Sequence, residues 1–305
     1  MPEAAPMRHG HIACGTIVVD DVDAATQAYC RYLHQELIEA GTISAELANA
    51  WQAPAARGSR FSLLQAAGGG RSSLRLIEMP RQPHEPAVSL GWNAFELTVR
   101  DVFGLAQQLA DSPFDVIGPP KRVDGFTSFI PMQVAGPHGE VLFLNQVEHS
   151  DDDTDLPLAQ SEVGEIFIVV LASPDRETSA AEYVNDLELD RGGTHQLRYG
   201  LINRAFGFSA DTLQTITMVQ NGRTPFLQVD QYPASAQARA STPEGLPMGN
   251  AMVSVLVDQF DQLTFGAKSA GLVSQPAGAL YANRRMKTVR GAAGELVELI
   301  ERETT

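Results

Sequence analysis

Two patterns of apolar and polar positions recur along the 305-residue chain. Four segments run apolar into an aspartate: Thr16-Ile17-Val18-Val19-Asp20-Asp21, Leu97-Thr98-Val99-Arg100-Asp101, Val169-Val170-Leu171-Ala172-Ser173-Pro174-Asp175 and Val253-Ser254-Val255-Leu256-Val257-Asp258. Runs rich in β-branched residues predict strands. The closing aspartate predicts a helix start, because its carboxylate accepts the free amides of a first turn. Four other tetrapeptides follow a loop or turn: Arg75-Leu76-Ile77-Glu78, Phe143-Leu144-Asn145-Gln146, Leu227-Gln228-Val229-Asp230 and Glu298-Leu299-Ile300-Glu301. The two sets interleave, so one unit of roughly 70–80 residues recurs four times.

Each unit reads as β-α-β-β-β. In the first, a strand over 12–19 precedes a helix through Ala24, Ala28, Tyr32, Leu33 and Leu37, whose apolar residues fall at helical spacing. A helical insertion over 44–51 and strands over 61–66 and 72–79 complete it, with Gly68-Gly69-Gly70 as a hairpin turn. The second has a strand over 93–99, a helix over 102–110 and strands over 114–117, 127–134 and 140–147. The third has a strand over 166–171, a helix over 175–187 and strands over 196–203, 213–220 and 225–230. The fourth has a strand over 251–257, a helix over 259–270 and strands near Leu272, over 282–288 and over 295–300. The predicted class is α+β, with consecutive units paired into curved, cupped mixed sheets. This divides the chain into a domain over 1–148 (units 12–80 and 91–148), an acidic linker over 149–161 and a domain over 162–305 (units 163–233 and 247–303).

This organisation resembles the vicinal oxygen chelate superfamily, which includes glyoxalases, extradiol dioxygenases, epimerases and bleomycin-resistance proteins. The resemblance rests on the capping aspartates and on the Ala28-Tyr29 and Glu182-Tyr183 steps eight residues beyond them. Gly139-Glu140-Val141-Leu142 beside Gly294-Glu295-Leu296-Val297 carries it further. In metal-using members it implies ligands seven residues before the cap and at the head of each tetrapeptide. Here those positions hold Cys14, Arg75, Ala94, Phe143, Ile168 (or Phe167), Leu227, Ala251 and Glu298. One carboxylate among eight does not hold a divalent ion, and Arg75 repels one. Neither a metal nor another cofactor is therefore expected.

Charge narrows the partners. The sum 22 − 37 = −15 disfavours nucleic acid and anionic membrane surfaces. No apolar run reaches the length of a membrane-spanning helix, and Met1 to Gly10 does not read as a secretory signal. Two cysteines, Cys14 and Cys30, read as reduced thiols in a cytoplasmic protein. A small-molecule ligand and a monomer or homodimer are expected.

Strand residues two apart share a face, which turns Cys14, Thr16, Glu96 and Asn145 toward a concavity with Arg75 and Phe143. Arg75 either pairs with Glu96 or receives a ligand's carboxylate or enolate; the alternative places both on the outer face. Trp92 supplies a flat wall or packs in the core. Glu298, in an apolar setting, acts as acid or base, or is satisfied by Arg284, Arg285 or Arg290. His195 is the isolated acid–base candidate, while His9 and His11 read as a solvated pair. Cys14 is a thiolate only if Arg75 activates it. Three roles stay open: a metal-independent lyase or isomerase acting on a carbonyl or aromatic-derived metabolite; an extradiol dioxygenase or glyoxalase-like metalloenzyme; and a non-catalytic binding protein.

Overall fold

The computed structural model describes residues 8–123, 127–150 and 154–302. The first unit comprises β1 (Ile12–Val19), α1 (Val22–Tyr32), β2 (Gln35–Thr42), α2 (Ala45–Ala50), β3 (Arg60–Ala66) and β4 (Ser73–Glu78). The second comprises β5 (Gly91–Val99), α3 (Val102–Leu109), β6 (Asp115–Gly118), β7 (Phe129–Ala135) and β8 (Val141–Val147). The third comprises β9 (Val163–Ser173), α4 (Arg176–Asn185), β10 (Asp190–Arg198), α5 (Gly200–Ala205), β11 (Leu213–Asn221) and β12 (Thr224–Gln231). The fourth comprises β13 (Gly249–Val257), β14 (Met286–Arg290) and β15 (Leu296–Glu301).

The aspartate caps form as expected in three units. Asp21, Asp101 and Asp175 accept from the amides of Ala24, Phe103 and Gly104, and Thr178. In the fourth no α-helix follows. Asp258 pairs instead with Arg302, and Gln259 turns left-handed at φ 52°. Phe260, Leu263 and Phe265 are buried at a spacing that does not fit one helix face. No strand forms at Leu272 either. The first helix is shorter than its apolar pattern suggested: Leu33 closes it, His34 takes φ 51°, and Leu37 lies exposed on the added strand β2. The strand expected over 196–203 gives way to α5 after Arg198.

Unit pairing differs from the consecutive order. One seven-stranded sheet, β14-β15-β13-β1-β4-β3-β2, joins the first and fourth units; an eight-stranded sheet, β10-β11-β12-β9-β5-β8-β7-β6, joins the second and third. The first strands of partner units lie side by side antiparallel, β1 with β13 and β5 with β9. The boundary at 149–161 therefore falls between two units of one sheet. Of that linker, Asp151 to Asp153 lie outside the described residues. Of the rest, Leu156 is buried and the Asp155 amide donates to the Arg223 carbonyl at 2.9 Å, while Leu158 is exposed.

The two sheets pack back to back. Ile17, Phe95, Val169 and Val253 belong to one apolar cluster with the inner faces of α1, α3 and α4. The sheets approach closely at Gly15, where a Cβ would lie 2.6 Å from the Phe95 ring. Polar side chains stitch the seam. Trp92 Nε1 donates to the Leu296 carbonyl at 2.7 Å, so it is core rather than a ligand-site wall. Arg239 donates to the carbonyls of Leu90, Met248 and Asn250. His9 is buried, not solvated; its Nε2 bonds the Leu187 carbonyl at 2.6 Å, and burial lowers its pKa.

The repeated tyrosines cross from one sheet to the other. Tyr29 on α1 donates to Glu140 Oε1, before β8, at 3.0 Å. Tyr183 on α4 donates to Glu295 Oε1, before β15, also at 3.0 Å. Both carboxyls are fully buried, which raises their pKa values, that of Glu295 to about 7. Among the described residues no helix is long and apolar enough to cross a membrane. Tyr29→Phe and Tyr183→Phe should each cost about 1–3 kcal/mol, since each leaves a buried carboxyl short of a donor. Urea unfolding of both variants measures this; loss in neither would mean that these contacts do not hold the sheets together.

Candidate functional site

A second capping contact, present in three units, sets their register. Glu78 accepts from the amide of Val22 at 3.1 Å, Gln146 from Val102 at 3.0 Å and Gln231 from Arg176 at 3.1 Å. Glu301 holds the same place beside Val257 as Glu78 beside Val19. Counting back three residues makes Arg75, Phe143, Gln228 and Glu298 equivalent. The tetrapeptide starting at Leu227 therefore sits one residue early, and Leu227 faces the core between the sheets. The neighbours of these four on the first strands are Thr16, Glu96, Val170 and Ser254. They lie two or three residues beyond the expected Cys14, Ala94, Ile168 and Ala251.

In the cup of the seven-stranded sheet these positions are filled by one another. Arg75 Nη2 lies 3.3 Å from Glu298 Oε2, with the two side chains 3% and 0% exposed. Glu298 also accepts from Trp51 Nε1 at 2.6 Å, from the Tyr281 hydroxyl at 2.8 Å and from Ser254. Arg75 donates to Tyr281 at 2.5 Å and to Thr16 at 2.8 Å, and lies 4.5 Å over the Trp51 ring. Burial lowers the Arg75 pKa, but Tyr281 and Glu298 beside it outweigh this and carry it above its ordinary value. Trp51 follows α2 and Tyr281 belongs to the segment before β14, so both cover the cup. Glu298 is thus satisfied by Arg75, not by Arg284, Arg285 or Arg290. Cys14 lies in the same cup, and burial pushes its thiol up to about 12. It is a neutral packing group at pH 7.

The cup of the eight-stranded sheet is open. A cavity of about 650 Å³ lies against it, lined by Glu96, Phe143, Asn145, Ile168, His195 and Gln228 among others. Glu96 is far from Arg75, on the other sheet, so the expected ion pair between them does not form. Among the described residues Glu96 accepts one hydrogen bond, from Asn145 Nδ2 at 2.5 Å. Burial pushes its carboxyl up to about 7. His195, on edge strand β10, reaches the same cavity. Four of the expected residues (Glu96, Phe143, Asn145 and His195) therefore converge here, and three (Cys14, Arg75 and Glu298) in the other cup. Asp230, Tyr199 and Gln228 were not anticipated. Asp230 is fully buried, which lifts its carboxyl to about 8, and Gln228 donates to it at 2.7 Å. The signal was present: in the corrected register Asp230 is the counterpart of Asn145.

Known structures superpose on most of this chain. Glyoxalase I from Zea mays superposes with a TM-score of 0.62 at 15% identity, over 95% of this chain and 92% of that one. A candidate dioxygenase from Bacillus subtilis subsp. subtilis str. 168 gives 0.61 at 13% identity, over 98% and 87%. The chain shares the fold of these two structures. No protein-family model and no curated protein matches its sequence.

The resemblance read from the sequence implies a cation at the cup floor. In the first cup a cation would meet the Arg75 guanidinium. In the second, the four equivalent positions are Glu96, Phe143, Val170 and Gln228, a single carboxylate with one amide and two hydrocarbons. Neither set fits a divalent ion. Among the described residues no three histidine, cysteine or acidic side chains converge.

Two outcomes test these assignments. Arg75→Met should cost about 3–5 kcal/mol in denaturant unfolding by stranding Glu298, and adding Glu298→Gln should recover most of it; equal losses in both variants would count against a coupled pair. Glu96 ionises in the folded state only near pH 7 but at the ordinary carboxylate value when unfolded. Its stabilising contribution is thus present in acid and lost as pH rises through 7. Glu96→Gln should gain about 3 kcal/mol over the parent at pH 8 and nothing at pH 4, read from melts at the two pH values.

Proposed function

We propose that this chain is a small-molecule enzyme working in the second cup by metal-independent proton transfer, of the lyase or isomerase class. The substrate class is a carbonyl or aromatic-derived compound. The observation that carries this reading is Glu96: a buried carboxyl, held by one donor, on the floor of a 650 Å³ cavity and poised near pH 7. A carboxyl at that pKa is part acid and part base at neutral pH, the condition under which general acid–base catalysis is most effective.

The roles follow from the surroundings. Asn145 Nδ2 fixes one Glu96 oxygen at 2.5 Å and leaves the other for substrate. The ionised form takes a proton from carbon next to a carbonyl, and the protonated form returns it at the neighbouring atom. Phe143, Ile168 and Ile216 exclude water and keep the carboxyl weakly solvated. His195 faces the cavity from the edge strand and is the second candidate for proton traffic. Arg75 and Glu298, first considered for this chemistry, serve as structure in the covered cup. A sequestering protein would use the same cavity without turnover, and one assay separates the two.

Small carbonyl and aromatic-derived compounds incubated with the protein in D2O report proton transfer as loss of C–H signal by NMR. Exchange should follow the Glu96 carboxylate, rising with pH to a plateau with its midpoint near 7, and Glu96→Gln should lower it about a hundredfold or more. Exchange that survives in Glu96→Gln would remove Glu96 from the chemistry. Binding with no exchange across the panel would favour sequestration.

A further inference from the structure

The covered cup is an internal template for what the open cup lacks. In the first, a buried carboxylate is completed by a cation: the Arg75 guanidinium pairs with Glu298 and lies over the Trp51 ring. In the second, the place equivalent to Arg75 is taken by Phe143 and that of Glu298 by Gln228, while Glu96 stands at the place of Thr16, which accepts from Arg75 at 2.8 Å; a ring and a cavity lie where the guanidinium would be. Phe143 and Tyr199 meet edge to face at 6.3 Å beside that space. On the cavity wall the buried Asn145 Oδ1 and the Tyr199 hydroxyl have no hydrogen-bond partner among the described residues. Among the described residues Glu96 accepts only from Asn145, while Asp230 lies behind the cavity wall with Tyr199 beside it. No described cation forms an ion pair with Glu96 or Asp230. The other charged or titratable groups around the cavity are Lys121, Arg191, His195, Arg198 and Tyr199; Arg191 pairs outward with Glu177 and Arg198 with Asp211.

We propose that the second cup takes a ligand carrying a nitrogen cation (an amidinium, guanidinium or protonated amine) on an aromatic body, the cation pairing with Glu96 in the place that Arg75 holds beside Thr16 in the covered cup. This rests on the reading of the second cup as the ligand site. A buried carboxylate gains most from a charged donor in a dry site, and a flat cation adds attraction to an aromatic face. The apolar walls, Ile168, Leu197 and Ile216 among them, suit the aromatic body.

The test is calorimetric titration with three molecules of one shape: para-phenylbenzamidine, para-phenylbenzamide and para-phenylbenzoate. At pH 8 the amidine should bind about tenfold or more tighter than the other two. Its affinity should fall about ninefold at pH 6, because a carboxyl titrating at about 7 is about nine-tenths ionised at pH 8 and one-tenth at pH 6. Glu96→Gln should abolish the preference, and Glu96→Asp, which keeps the charge, should retain it. Equal or tighter binding of the amide or benzoate, or a preference that survives Glu96→Gln, overturns the cation proposal and leaves the cup standing as the ligand site. Binding of none of the three overturns both.

Discussion

Glu298 lies in the interior of this protein with no exposed surface, and it keeps its place because four side chains supply it with donors and a counter-charge. A carboxylate taken out of water must either be answered in this way or surrender its charge. The rest of the molecule follows from how that requirement is met. In the seven-stranded sheet it is met internally, with Arg75, Trp51, Tyr281 and Ser254 filling the cup. In the eight-stranded sheet Glu96 has a single amide donor, so its carboxyl drifts up to about 7 and stays available to whatever enters the cavity.

The same rule operates at the seam between the sheets. Glu140 and Glu295 are buried carboxyls answered by tyrosines from the opposite sheet, 3.0 Å away in each case. Because each helix belongs to one sheet and its glutamate partner to the other, the bonds make the two sheets a single folding problem. Gly15 allows the Phe95 ring into the gap, and Arg239 and Trp92 bind carbonyls across it. The polar seam specifies the mutual placement of surfaces whose apolar content alone would allow sliding.

Divergence of the units then explains the division of labour. Equivalent strands carry Arg75, Phe143, Gln228 and Glu298, four chemically unlike residues on one scaffold. Opposite charges happen to meet in the first sheet, which closes it. An aromatic and an amide meet in the second, which leaves it open. Loss of a helix after Asp258 matters too, since the irregular segment from Gln259 to Arg285 delivers Tyr281 onto the covered cup.

Local chemistry alone determined the α+β class, the fourfold unit, the capping aspartates at Asp21, Asp101 and Asp175, and the convergence of Glu96, Phe143 and Asn145 on one face. All of these follow from strand alternation and from hydrogen bonds spanning a few residues. Helix ends were less legible where a left-handed residue, His34 or Gln259, cut a periodic pattern short. The partner of each unit was not legible at all, because edge pairing of β1 with β13 joins residues more than two hundred positions apart and leaves no local trace. That non-local step separated Arg75 from Glu96, gave it Glu298, and decided which cup is full and which is open.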